Sequence, residues 1–97
     1  MQIRHVMIRG RVQGVGYRAW TERQALARGL EGWVRNRRDG SVEAAFSGPD
    51  EIVDAMLEAC RRGPPSARVD AIDDVNSAGN ALVLRRPGEL FSVLSTA

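Results

Sequence analysis

From Ile3 to Val12 the chain alternates, with Val6, Ile8, Gly10 and Val12 on one face and His5, Met7, Arg9 and Arg11 on the other. A period of two predicts a strand with one buried face. Tyr17 to Arg28 has the composition of a helix, and Gly29 stands where a C′ residue would end it. Gly32–Asn36 and Ser41–Phe46 read as two strands joined by a tight turn at Asp39-Gly40, with Val34, Val42, Ala44 and Phe46 toward the core. The second helix is marked at both ends. Pro49 suits its first position, Asp50 and Glu51 its positive pole and Arg61 and Arg62 its negative pole, before Gly63-Pro64-Pro65 stops it. Between those ends Ile52, Val53, Met56, Leu57 and Cys60 form one apolar stripe. Arg68–Val75 reads as another strand and Phe91–Leu94 as a short last one. Asn76–Leu90 has no clear pattern, apart from ALVL, which reads as a strand fragment.

Strand, helix, strand, strand, helix, strand is the split βαβ, ferredoxin-like order: an α+β fold whose antiparallel sheet carries both helices on one face. Ninety-seven residues accommodate one such domain, spanning 1–97. No apolar run approaches the roughly 20 residues that cross a bilayer. Arg4, His5 and Arg9 interrupt the N-terminus where a signal peptide would be apolar. The expectation is a cytoplasmic monomer with no membrane partner. Cys60 is the one cysteine and His5 the one histidine, so neither an internal disulfide nor a Cys/His zinc site can form. No metal and no cofactor are expected.

All 14 basic side chains are arginine. That excludes a Schiff-base or P-loop lysine and leaves planar guanidinium forks and backbone N–H groups to hold any anion. A net charge of +2 is too small to argue for nucleic acid.

The junction between first strand and first helix, GRVQGVGYR, places Gly14 and Gly16 directly before Tyr17 and Arg18. Glycines there free the backbone to aim successive N–H groups at one point, beside the positive end of a helix. Such a loop is either a phosphate cradle or simply a tight turn, and it matches neither GxGxxG nor GxxxxGKS. Residues 12 to 18 contain no Ser, Thr, Cys or His, so the loop cannot form a phosphoenzyme. His5 lies early on a strand and is a poor candidate base. Water attacking directly, with no acid for the leaving group, suits a substrate whose leaving group is already good, such as a carboxylic–phosphoric mixed anhydride. Asn36 ends the strand that should approach this loop, and its neutral amide could hold a water beside an anion; equally, it could only begin the turn.

GRVQGVGYR together with GWVRNRRDGSVE, about 20 residues apart, resembles the acylphosphatases, and the resemblance extends over most of residues 3 to 75. It implies hydrolysis of acyl phosphates to carboxylate and inorganic phosphate. By the same resemblance the amides of Gln13, Gly14, Val15, Gly16, Tyr17 and Arg18 bind the phosphoryl group together with the Arg18 side chain, and Asn36 orients the water. The partners implied are a small acyl phosphate and phosphate as product and inhibitor. Tyr17 stands where phenylalanine is commoner, which would put a hydroxyl near the site. After Asn76 the match fades.

Arg9, Arg11, Arg35, Arg37 and Arg38 are either a positive rim for the pocket or solvated strand-edge charges. Trp20 and Trp33 suit packing, though either could rim the acyl site. Two other readings share this topology: an anion-sensing domain without turnover, and an RNA-binding module. The latter needs aromatics on its central strands, and Ser41–Phe46 holds only Phe46, on the core face.

Overall fold

A computed structural model describes residues 1–75 and 80–97. Its elements are β1 (Gln2–Arg11), α1 (Tyr17–Ala27), β2 (Glu31–Asn36), β3 (Val42–Gly48), α2 (Asp50–Arg62), β4 (Arg68–Asp74), a 3₁₀ turn (Ala81–Leu84) and β5 (Phe91–Val93). The sheet runs β4-β1-β3-β2-β5. Its pairs are antiparallel, except that β5 lies parallel to β2. This is the ferredoxin-like arrangement with a fifth strand added at one edge.

Side-chain parity divides the sheet between two jobs. Val6 and Ile8 of β1, Val34 of β2 and Val42, Ala44 and Phe46 of β3 point to the helix side and are fully buried with Leu30, Val53, Met56 and Cys60. The expected stripe of α2 is therefore the surface that closes the core. Phe46 stacks on Phe91 there, with ring centroids 5.8 Å apart, so it is not the exposed aromatic a base-stacking surface requires. Gly10 departs from its expected face: the β1–β4 register slips between Arg9 and Gly10, leaving Gly10 exposed while Val12 returns to the core.

The opposite face is not left to solvent either. Trp33 and Ala45 are buried there against Ala81, and the Trp33 indole N–H donates to the Ala81 carbonyl at 2.5 Å. ALVL is thus a helical turn rather than a strand fragment. Its job is to cover an indole and offer it an acceptor, which a flat edge strand would not do. The rest of the segment with no clear pattern includes residues 76–79, which lie outside the described residues. Pro49 also sits one place earlier than expected, as the N-cap, its carbonyl accepting from Ile52 and Val53.

Tyr17 is the first residue of α1 and is 2% exposed. Its hydroxyl donates to the Cys60 carbonyl at 2.6 Å, tying the start of α1 to the end of α2. The expected hydroxyl near the site is therefore absent, because the ring is long enough to cross the core and reach a carbonyl in the last turn of α2. Burial raises both groups: the phenol is held above its ordinary range, and the Cys60 thiol is pushed up to about 12, which keeps it protonated at neutral pH. Tyr17→Phe should leave the Cys60 carbonyl without that donor and cost about 1 kcal/mol. For a domain of this size, that lowers the melting temperature by about 4–8 °C. Thermal unfolding measures it, and an unchanged midpoint would show that the bond contributes nothing net.

Candidate active site

The loop from Val12 to Gly16 leaves β1 and turns directly into α1. Gly14 and Gly16 have φ of 74° and 78°, the left-handed region in which a side chain is strained. A Cβ at either would meet nothing within 4 Å, so glycine is required by the backbone conformation and not by crowding. Gly16 caps α1 without any side-chain hydrogen bond, and the first turn of α1 contains no acidic residue. α2 differs, carrying Asp50 and Glu51 in its first turn. The first N–H groups of α1 and its positive pole are therefore left open toward the loop.

A cleft of about 480 Å³ lies at this point, within the range of small-ligand sites. It is lined by Val12, Gln13, Gly14, Gly16 and Tyr17 from the loop and helix start, by Arg18, Ala19 and Glu22 along α1, by Asn36 of β2 and by Val93 of β5. The structure thus brings Arg18 and Asn36 to one cleft from positions 18 residues apart. Val15 is not part of the lining; its side chain packs against the core, which leaves only its N–H for a ligand.

Gln13 has a second task. Its amide Nε2 donates to the carbonyls of Arg37 at 2.7 Å and Ser41 at 2.8 Å, fastening the loop to the β2–β3 turn just beyond Asn36. Asp39 closes that turn by accepting from the Ser41 N–H and hydroxyl, which holds its carboxyl below the usual range. Arg18 is partly buried, and its Nη1 reaches the Leu94 carbonyl at 3.4 Å, the outer edge of hydrogen-bond distance. That is a contact a stronger acceptor such as phosphate can displace. The tail after β5 runs on beside β2: Leu94 donates to the Val34 carbonyl, and Ala97 to the Asn36 carbonyl. Asn36 is therefore held on both sides, by β3 and by the tail.

The arginines flanking Asn36 point the other way. Arg35 Nε and Arg37 Nη1 both reach Glu43 Oε1, at 2.7 and 3.3 Å, while His5 Nε2 lies 2.6 Å from Oε2. Burial pushes the Glu43 carboxyl up, but the hydrogen bonds and charges of Arg35 and His5 outweigh it and hold it below the usual range. Arg9 pairs with Asp73 at 3.1 Å. Arg9, Arg35 and Arg37 are thus engaged by carboxylates rather than rimming the cleft, and Trp33 belongs to the same back face, with Arg35 stacked 5.2 Å from its ring centre. Trp20 packs against the core beside Tyr17.

The sequence reading missed Val12, Ala19, Glu22 and Val93. Helical spacing from Arg18 would have found Glu22, four residues on; Val93 had no local signal, because a three-residue strand shows no periodicity. Among the described residues no group of three His, Cys, Asp or Glu is arranged to hold a metal.

Comparison with known proteins agrees with this geometry. The acylphosphatase family model matches residues 4–81. An acylphosphatase of Bradyrhizobium diazoefficiens is 64% identical over 97% of this chain and 95% of its own. The crystal structure of acylphosphatase from Bacillus subtilis superposes with a TM-score of 0.78 at 32% identity, covering 97% of this chain and 99% of that one. An acylphosphatase structure from Coxiella burnetii gives 0.77 at 28% identity, covering 95% and 90%. A cradle of open amides, an arginine and an asparagine on one cleft, in a chain so closely related, leaves one conclusion: the protein belongs to the acylphosphatase family.

Proposed function

We propose that this chain hydrolyses acyl phosphates to carboxylate and inorganic phosphate, with water attacking phosphorus directly. The observation that carries the reading is the convergence of the Gln13–Arg18 loop, the Arg18 guanidinium and the Asn36 amide on a single cleft. The loop amides and the open first turn of α1 hold the phosphoryl oxygens, and Arg18 forks across them. Asn36, neutral and fixed by β3 and the tail, holds the water without repelling the anion. As the water oxygen bonds to phosphorus, the phosphorus–oxygen bond to the acyl group breaks. The carboxylate leaves with that bond's electron pair, and the water's proton ends on phosphate or in solvent. A carboxylate leaves readily at neutral pH because its conjugate acid has a pKa near 4, so no protein acid is required.

The enzyme acts as a single domain and a monomer in the cytoplasm, without a membrane, nucleic-acid or cofactor requirement. No helix among the described residues is long and apolar enough to cross a membrane.

Arg18→Ala should lower kcat/KM by about 10²-fold or more and weaken phosphate binding, the scale lost with one charge-assisted contact. Arg18→Lys should rescue little, since an ammonium cannot reproduce the fork. Asn36→Ala should fail in a different way, with turnover down about 10²-fold and phosphate affinity little changed. Asn36→Asp should be at least as damaging, because its charge faces the phosphoryl group. Steady-state kinetics on a synthetic acyl phosphate, beside phosphate titrations, separates the two patterns. Normal turnover in Asn36→Ala would remove that residue from the mechanism.

Inorganic phosphate should inhibit competitively and stabilise the fold, by about 2.7 kcal/mol at a hundred times its dissociation constant. EDTA should not alter the rate. Activity lost on chelation and restored by a divalent cation would overturn the metal-free mechanism.

A further inference from the structure

With the phosphoryl group in the loop cradle and the water on Asn36, the lining left for the acyl group is Val12 before the loop, Ala19 and Glu22 of α1 and Val93 of β5. Three of these are small or apolar, and the fourth is a carboxylate. Glu22 stands four residues beyond Arg18, one helical turn and about 6 Å along the axis, so the two share a face. It is partly buried. Arg18 does not neutralise it, since its guanidinium is directed to the Leu94 carbonyl. A negative charge in a cleft that must bind an anion weakens that binding, unless the charge faces the part of the substrate that is not anionic. In a mixed anhydride, that part is the acyl group. It becomes anionic only when the phosphorus–oxygen bond breaks and the carboxylate departs with the bridging oxygen.

We infer that Glu22 is a specificity residue that sorts acyl groups by charge, admitting neutral and cationic ones and disfavouring those with a carboxylate of their own. The inference rests on the assignment of this cleft to acyl phosphate hydrolysis. The same charge repels the product: the newly formed carboxylate lies beside Glu22 and is expelled, so carboxylates inhibit weakly. Acyl phosphates of monocarboxylic or amino-bearing acids are then the natural class, and those of dicarboxylic acids are poor substrates.

The test uses three phosphates of nearly equal shape: benzoyl phosphate, 4-carboxybenzoyl phosphate and 4-(aminomethyl)benzoyl phosphate. The unmodified enzyme should favour the neutral and cationic members over the carboxylate by about three- to tenfold in kcat/KM, the scale of two like charges in a partly solvated cleft. Glu22→Gln should erase most of that preference and make benzoate a stronger inhibitor by a similar factor, and Glu22→Lys should reverse the order. Equal ratios in all three enzymes, or one loss of kcat common to all substrates, would overturn the filter, the second result placing Glu22 in the chemistry itself. If the unmodified enzyme hydrolysed none of the three, the assignment of the cleft would fall, and the filter with it.

Discussion

Every α-helix begins with N–H groups that its own backbone cannot satisfy, and α1 begins with them open. No side chain caps the helix, no acid neutralises its first turn, and the preceding glycines adopt left-handed conformations that carry the chain into the helix from one side. An uncapped helix start costs about 1 kcal/mol relative to a good cap. Tyr17 offsets that cost by anchoring the same turn to α2 through the core. The helix start is thereby kept rigid by a bond on its buried side while its exposed side stays free for an anion.

The two faces of the sheet give Asn36 its position. Gly32, Val34 and Asn36 share the parity of the helix face, while Trp33 and Arg35 project from the back. Glu43 collects Arg35, Arg37 and His5 on that back face in one partly buried cluster. Removing Glu43 would leave Arg35 and Arg37 without their shared carboxylate, which is costlier than the pairing is stabilising. Its consequence for the site is orientation: with both neighbours of Asn36 fixed to the back, its own side chain stays on the cleft side. Gln13 then couples the loop to the same turn.

Much of this was legible in sequence. α2 shows why, since its cap, dipole charges, apolar stripe and stop signal all agree. Arg18 and Asn36 were singled out by local motifs, and the structure sets both on one cleft. Tyr17 was misjudged because sequence distance conceals how far a ring reaches; its partner lies 43 residues away. Arg35 and Arg37 were open to two readings until a single carboxylate, six to eight residues off, drew both to the back. ALVL has the composition of a strand, but its conformation is set by the indole it covers.

The sequence alone determined the order of the two helices and the strands up to β4, the apolar stripes that form the core and the glycine turn, all consequences of local backbone sterics and hydrophobic period. The tertiary structure decided which faces those elements share. It turned Tyr17 into the core, set Glu22 and Val93 beside the cradle, and laid the tail along Asn36. Those outcomes depend on contacts between residues far apart in the chain, which no periodicity within a single segment encodes.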